Sequence, residues 1–96
     1  MVLLLSSVMA FASRYMATVD FTLSTTPHNR AVMPFSAVVP ETYNGPFVRF
    51  VHPKSGKSVV AEVTKATGTT FRTSKGVAEA IGITKKTARV RIEEIY

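Results

Sequence analysis

The side chains able to do chemistry are few. The 96-residue chain has two histidines, His28 and His52, and no cysteine. Without cysteine there is no disulfide framework and no thiolate metal site. Two histidines cannot build a zinc site without carboxylate help, and no ligand spacing recurs. No metal and no cofactor are therefore expected. General acid–base work needs a carboxyl held against the group it protonates or deprotonates. Asp20 falls in the middle of an extended run, Glu41 in a loop and Glu62 on the wetter face of a hairpin. No pair of acids has a spacing that demands an acid/base reading. His28 lies in a polar loop, the ordinary place for a histidine with no catalytic task.

The charge is uneven. The net charge is +6. Residues 1–48 carry Arg14 and Arg30 against Asp20 and Glu41 and sum to zero, so residues 49–96, with ten Lys/Arg against four Glu, hold the whole surplus. A basic half suits an anionic partner: nucleic acid, an acidic glycan, a membrane surface or an acidic protein. No dense Lys/Arg cluster and no aromatic-basic RNA-binding pattern is present, which disfavours nucleic acid.

The elements that would position these residues centre on 48–63. Two runs rich in β-branched and aromatic residues flank a turn with Pro53 and Gly56. Val59, Ala61 and Val63 alternate with Ser58, Val60 and Glu62, the period of a strand with one buried face. This predicts a β-hairpin with Lys54 and Lys57 at its tip. Residues 15–23 read as a strand, and 31–39 as an edge strand or bend broken by Pro34. Asn44-Gly45 is a turn signal, residues 64–70 a turn containing Gly68, and a short strand lies near Phe71. Residues 74–81 are the one clear helix, with Ser74 as N-cap, Val77, Ala78 and Ile81 on one face, and Gly82 just past the end. In 87–95, Ala88, Val90 and Ile92 point in, and Arg89, Arg91 and Glu93 point out. Ninety-six residues make one domain with one modest core, and short strands with one small helix suggest a barrel.

Residues 1–12 stand apart as an apolar arm containing Leu3, Leu4, Leu5, Val8 and Phe11. They are too few to span a bilayer. Ala10-Phe11-Ala12 fits a small-x-small cleavage site, but no basic residue precedes the apolar run. If retained, the arm needs cover from the barrel or from a neighbouring subunit.

In order and wording, residues 13–96 resemble the rare lipoprotein A (RlpA) domain. Gly56-Lys57-Ser58-Val59-Val60 is similar to that family's NGKSVVVRV hairpin, 74–83 to its S-x-x-A-A-x-x-L-G-I helix, and 87–95 to its closing TARVRVEVL strand. Pro27-His28, Met33-Pro34-Phe35 and Ser13-Arg14-Tyr15 resemble its earlier segments. The resemblance implies a mostly β fold: a six-stranded double-psi β-barrel with one short helix, here preceded by the apolar N-terminal arm. It also implies peptidoglycan contact and, in some members, lytic transglycosylase activity, which requires a carboxylic acid at the glycosidic oxygen. The family's acid after the hairpin corresponds to Thr64-Lys65-Ala66-Thr67-Gly68 here, and its aspartate before the helix to Arg72 or Thr73. Both acids are missing.

The expectation is a barrel that is not an enzyme and is kept for shape and binding. The first reading is a structural or assembly module, such as a virion component, that uses the 1–12 arm to form a homo-oligomer or larger assembly. The second is a cell-envelope or extracellular module binding peptidoglycan through a groove with His28, Tyr43, Arg49, Lys65, Phe71 and Arg72, whose rings and cations would hold a sugar chain. A lytic transglycosylase ranks third and a nucleic-acid binder last.

Overall fold

The computed structural model describes residues 13–24 and 35–96. The arm residues Leu3, Leu4, Leu5, Val8 and Phe11, and the loop residue His28, lie outside the described residues. Among the described residues six strands form a closed barrel: β1 Arg14–Asp20, β2 Ser36–Pro40, β3 Phe47–Val51, β4 Ser58–Ala66, β5 Phe71–Thr73 and β6 Thr87–Ile95, with one helix, α1, at Lys75–Ile81. Around the barrel the order is β1-β5-β2-β4-β3-β6, and β6 returns to β1. Closure leaves no strand edge unpaired, which removes the template for edge-to-edge aggregation.

The pairing repeats itself. β1 runs parallel to β5 and β2 parallel to β4, while β2–β5, β3–β4, β3–β6 and β1–β6 are antiparallel. Exchanging β1 with β4, β2 with β5 and β3 with β6 leaves every pairing and every direction unchanged. The barrel therefore has the connectivity of two interlocked three-strand halves related by a pseudo-two-fold.

The expected hairpin is β3–β4, in register Val48↔Ala61 and Phe50↔Val59. Its turn is closed by the His52 N–H to the Lys57 carbonyl at 2.8 Å and the Gly56 N–H to the His52 carbonyl at 3.0 Å. β4 continues to Ala66 because Thr64, Lys65 and Ala66 pair with Val38, Val39 and Pro40 of β2; the turn expected from residue 64 begins only after that ladder. β2 is no edge strand, since it lies between β4 and β5, and Pro40 sits at its last position, where one missing N–H costs the ladder least. α1 ends as expected: Gly82 takes a left-handed conformation, and the N–H groups of Gly82 and Ile83 bond the carbonyls of Glu79 and Ala78. Ser74 occupies the N-cap position without a side-chain cap bond.

The strand period places Val19, Ala37, Val39, Val48, Phe50, Ala61, Val90 and Ile92 inside, and Val77, Ala78 and Ile81 pack α1 onto this core. Each large side chain so buried contributes about 1.5–3 kcal/mol. Thr73 is the one fully buried polar residue among the largest core side chains, and its hydroxyl donates to the Ser36 carbonyl at 2.9 Å, so its burial leaves no orphan donor. α1 follows β5, β1 finishes where β6 begins, and β3, antiparallel to β6, runs toward that same end. This end of the barrel is the helix end. The opposite end carries the start of β1, the Tyr43 loop and the finish of β6.

Candidate functional site

The structure separates the expected binding residues. Tyr43 and Phe71 are 2% and 6% exposed. Their rings meet edge-on at 6.1 Å, and the Tyr43 hydroxyl donates to the Phe47 carbonyl at 2.6 Å. The two rings expected to face a sugar belong to the core, because the turn at Asn44-Gly45 folds Tyr43 beneath the finish of β6. Burial, with the nearby Glu94 charge, pushes the Tyr43 phenol well above its ordinary range. Arg49 lies on the outer wall, bonded to Glu93. Lys65 and Arg72 are exposed on β4 and β5, with β2 between them.

Two carboxylates that sequence reasoning did not single out are buried. Glu93 points outward from β6, yet it is only 4% exposed. Arg49 Nη1 and Arg91 Nε each donate to one of its oxygens at 3.2 Å, and Arg14 stands opposite it on β1. Glu94 has the inward parity of Ala88, Val90 and Ile92 and is 6% exposed at the far end. The Tyr15 hydroxyl donates to its Oε2 at 2.9 Å, and Tyr15 leans on Phe71 at 6.2 Å. Burial first, then the bond and charge of Glu94, raises the Tyr15 phenol far above its usual range. The signal for Glu94 was the strand parity itself, extended one step past Ile92.

The remaining acids are near the surface. Asp20 accepts the Thr22 N–H at 2.8 Å and the Thr22 hydroxyl, which hold its carboxyl below the ordinary range. Glu41 accepts from the Thr67 hydroxyl at 3.4 Å. Among the described residues no group of three or more His, Asp or Glu could hold a metal ion, and no helix is long and apolar enough to cross a membrane.

Open space lies at the helix end instead. A cleft of about 640 Å³ is bounded by residues 21–24, by Lys75, Ala78 and Glu79 of α1, and by residues 83–86. A second, of about 420 Å³, lies between His52-Pro53-Lys54 of the hairpin turn and residues 82–85 and 87–89. Ile83, Thr84 and Lys85 line both. The first is floored by Phe21, Leu23, Ala78 and Ile83 and rimmed by lysines; the second has Lys54, Lys85 and Arg89 on its walls and no acid. Such an arrangement can hold an anion and has no proton donor of carboxylic type in the smaller cleft. Compared with known proteins, the chain matches no family model, no curated protein and no solved structure.

Proposed function

We propose that the chain is a non-catalytic double-psi β-barrel, similar to the rare lipoprotein A domain, that serves as a structural or assembly module of a virion or of the cell envelope. The observation that carries this reading is the placement of the two buried carboxylates. Glu93 is engaged by Arg49 and Arg91 on the outer wall, Glu94 by Tyr15 at the far end, and neither lines the two clefts at the helix end. A glycosidic acid must reach the bond that it protonates, and these two are built into the barrel. The pseudo-two-fold of the strand pairing supports the double-psi architecture.

The test has two arms on the full chain. Incubation with purified peptidoglycan is expected to release no soluble anhydro-sugar product by mass spectrometry; release of that product overturns the non-catalytic reading. Light scattering after size exclusion is expected to give an oligomer that a variant with Leu3, Leu4 and Leu5 all replaced by serine loses. Monomers in both cases overturn assembly through the arm. Peptidoglycan binding is the alternative, and with Tyr43 and Phe71 in the core it would fall to the exposed Lys65 and Arg72. A peptidoglycan pull-down at low salt tests it, with a K65E/R72E variant as the control.

A further inference from the structure

The helix end gathers positive charge that the rest of the fold does not use. The two clefts are lined by Lys54, Lys75, Lys85, Lys86 and Arg89, with Glu79 as their one acid. These cations come from three separate segments: the hairpin turn, α1, and the loop into β6 with the start of that strand. No ion pair among the described residues draws on them. Like charges converging on one hollow repel one another, and an anion seated there relieves that repulsion.

The neutral donors point the same way. His52 Nδ1 accepts the backbone N–H of Lys54 at 3.1 Å and of Ser55 at 3.4 Å. That leaves the ring proton on Nε2, so the imidazole lining the smaller cleft offers a donor. Thr84 and Thr87 add hydroxyls. Guanidinium, ammonium and hydroxyl donors around one space match an oxyanion with several oxygens better than a single carboxylate. Ile83, Thr84 and Lys85 line both clefts, which therefore lie side by side along one track across the helix end.

We propose that this track binds an extended ligand carrying successive phosphate groups, with Arg89 and Lys54 at one end, Lys85 in the middle, and Lys75 and Lys86 at the other. The site stands independently of assembly through the N-terminal arm, since it uses none of the same residues.

Tripolyphosphate, orthophosphate, an oligothymidylate and hexaglutamate are titrated into the ¹⁵N-labelled full chain at matched ionic strength, and amide shifts are followed by NMR. Tripolyphosphate is expected to move amides in 52–57 and 75–89 and to bind at least tenfold more tightly than orthophosphate. Its affinity is expected to fall with salt on a log–log slope of about −2 to −3 for three phosphate contacts, by analogy with phosphate neutralisation on nucleic acids. K85E is expected to weaken it at least tenfold with the remaining cross-peaks in place, and K65E, at the far end, to leave it unchanged. Oligothymidylate moving the same amides identifies a phosphodiester strand as the source; binding of tripolyphosphate alone identifies a condensed phosphate. Equal affinity for orthophosphate, equal or tighter binding of hexaglutamate, shifts centred on Arg14, Arg49 and Arg91, or a K85E variant that binds as before would each overturn the proposal.

Discussion

Replacing Glu93 with glutamine tests whether the outer wall is held by charge or only by strand pairing. The substitution keeps the shape and one acceptor oxygen, and removes the charge that Arg49 and Arg91 share. A hydrogen bond to a charged group contributes about 1.5–3 kcal/mol when buried, and an exposed ion pair about 0.2–1 kcal/mol. Here the carboxylate side chain is 6% exposed and the two arginine side chains 39% and 41%, so each pair falls between those limits, at about 1 kcal/mol. Glu93→Gln is then expected to cost about 2 kcal/mol, and more at low salt, where the arginines repel over a longer range. With a urea slope of about 1 kcal/mol per molar, the unfolding midpoint falls by about 2 M. A double-mutant cycle with Arg49→Met, which retains most of the apolar stem, isolates the Arg49–Glu93 coupling at about 1 kcal/mol. A coupling below about 0.3 kcal/mol, or a more stable Glu93→Gln protein, would refute the reasoning. It would mean that desolvation of the carboxylate outweighs its attraction to the arginines.

Gly45→Ala and Gly56→Ala form a matched pair. Both glycines have positive φ, but a Cβ at Gly45 falls on the Ile95 carbonyl oxygen while one at Gly56 meets open space. Circular-dichroism melts should show Gly56→Ala losing about 1 kcal/mol and Gly45→Ala losing about 1–3 kcal/mol more; equal losses would contradict the close approach. Phe50→Ala, at a fully buried site, should cost about 3–5 kcal/mol by urea unfolding. Tyr15 and Tyr43 have phenols raised from 10.0, so the folded state keeps protons that the unfolded state releases. Their contribution to stability is fully present below pH 10.0 and is lost as pH rises beyond it. Ultraviolet titration of tyrosinate against unfolding should show these two rings ionising together with alkaline unfolding, and ordinary ionisation of both in a folded protein would contradict the burial of Tyr43 and the Tyr15–Glu94 bond. Asp20, with its carboxyl lowered by Thr22, stabilises the fold above its ordinary value of 3.8 and loses that effect as pH falls through the lower folded value; Thr22→Val should reduce the shift, as read by NMR of the Asp20 carboxyl.

The hairpin, the helix and β6 were legible because their signals are local. Alternation at 59–63 and 87–95, the Gly82 stop and the Gly56 turn need no distant partner. The added length of β4 was not legible: Thr64, Lys65 and Ala66 become strand only by running parallel to β2, and polar residues after a hairpin look like a turn until that partner is known. Tyr43 read as a groove aromatic, and its burial depends on Phe47 and the finish of β6. Glu93 read correctly as outward, but the arginines that cover it come from a neighbouring strand and from its own strand two residues away. The charge surplus of the second half was visible, whereas its focus at the helix end required the barrel to bring residues 52–54, 75 and 82–89 together.

Among the described residues β1 pairs with β5 and β6 alone. On a ribosome β1 therefore emerges without either partner, and waits until β5 and β6 have left the exit tunnel. Neither three-strand half can close by itself, because each parallel pair takes one strand from each half. Contacts of such long sequence separation form slowly, on the order of milliseconds to seconds. Through that interval the apolar inner faces of β1 and β2 are without cover, so newly made copies are at risk of swapping β1 strands with one another, a hazard the finished barrel no longer has.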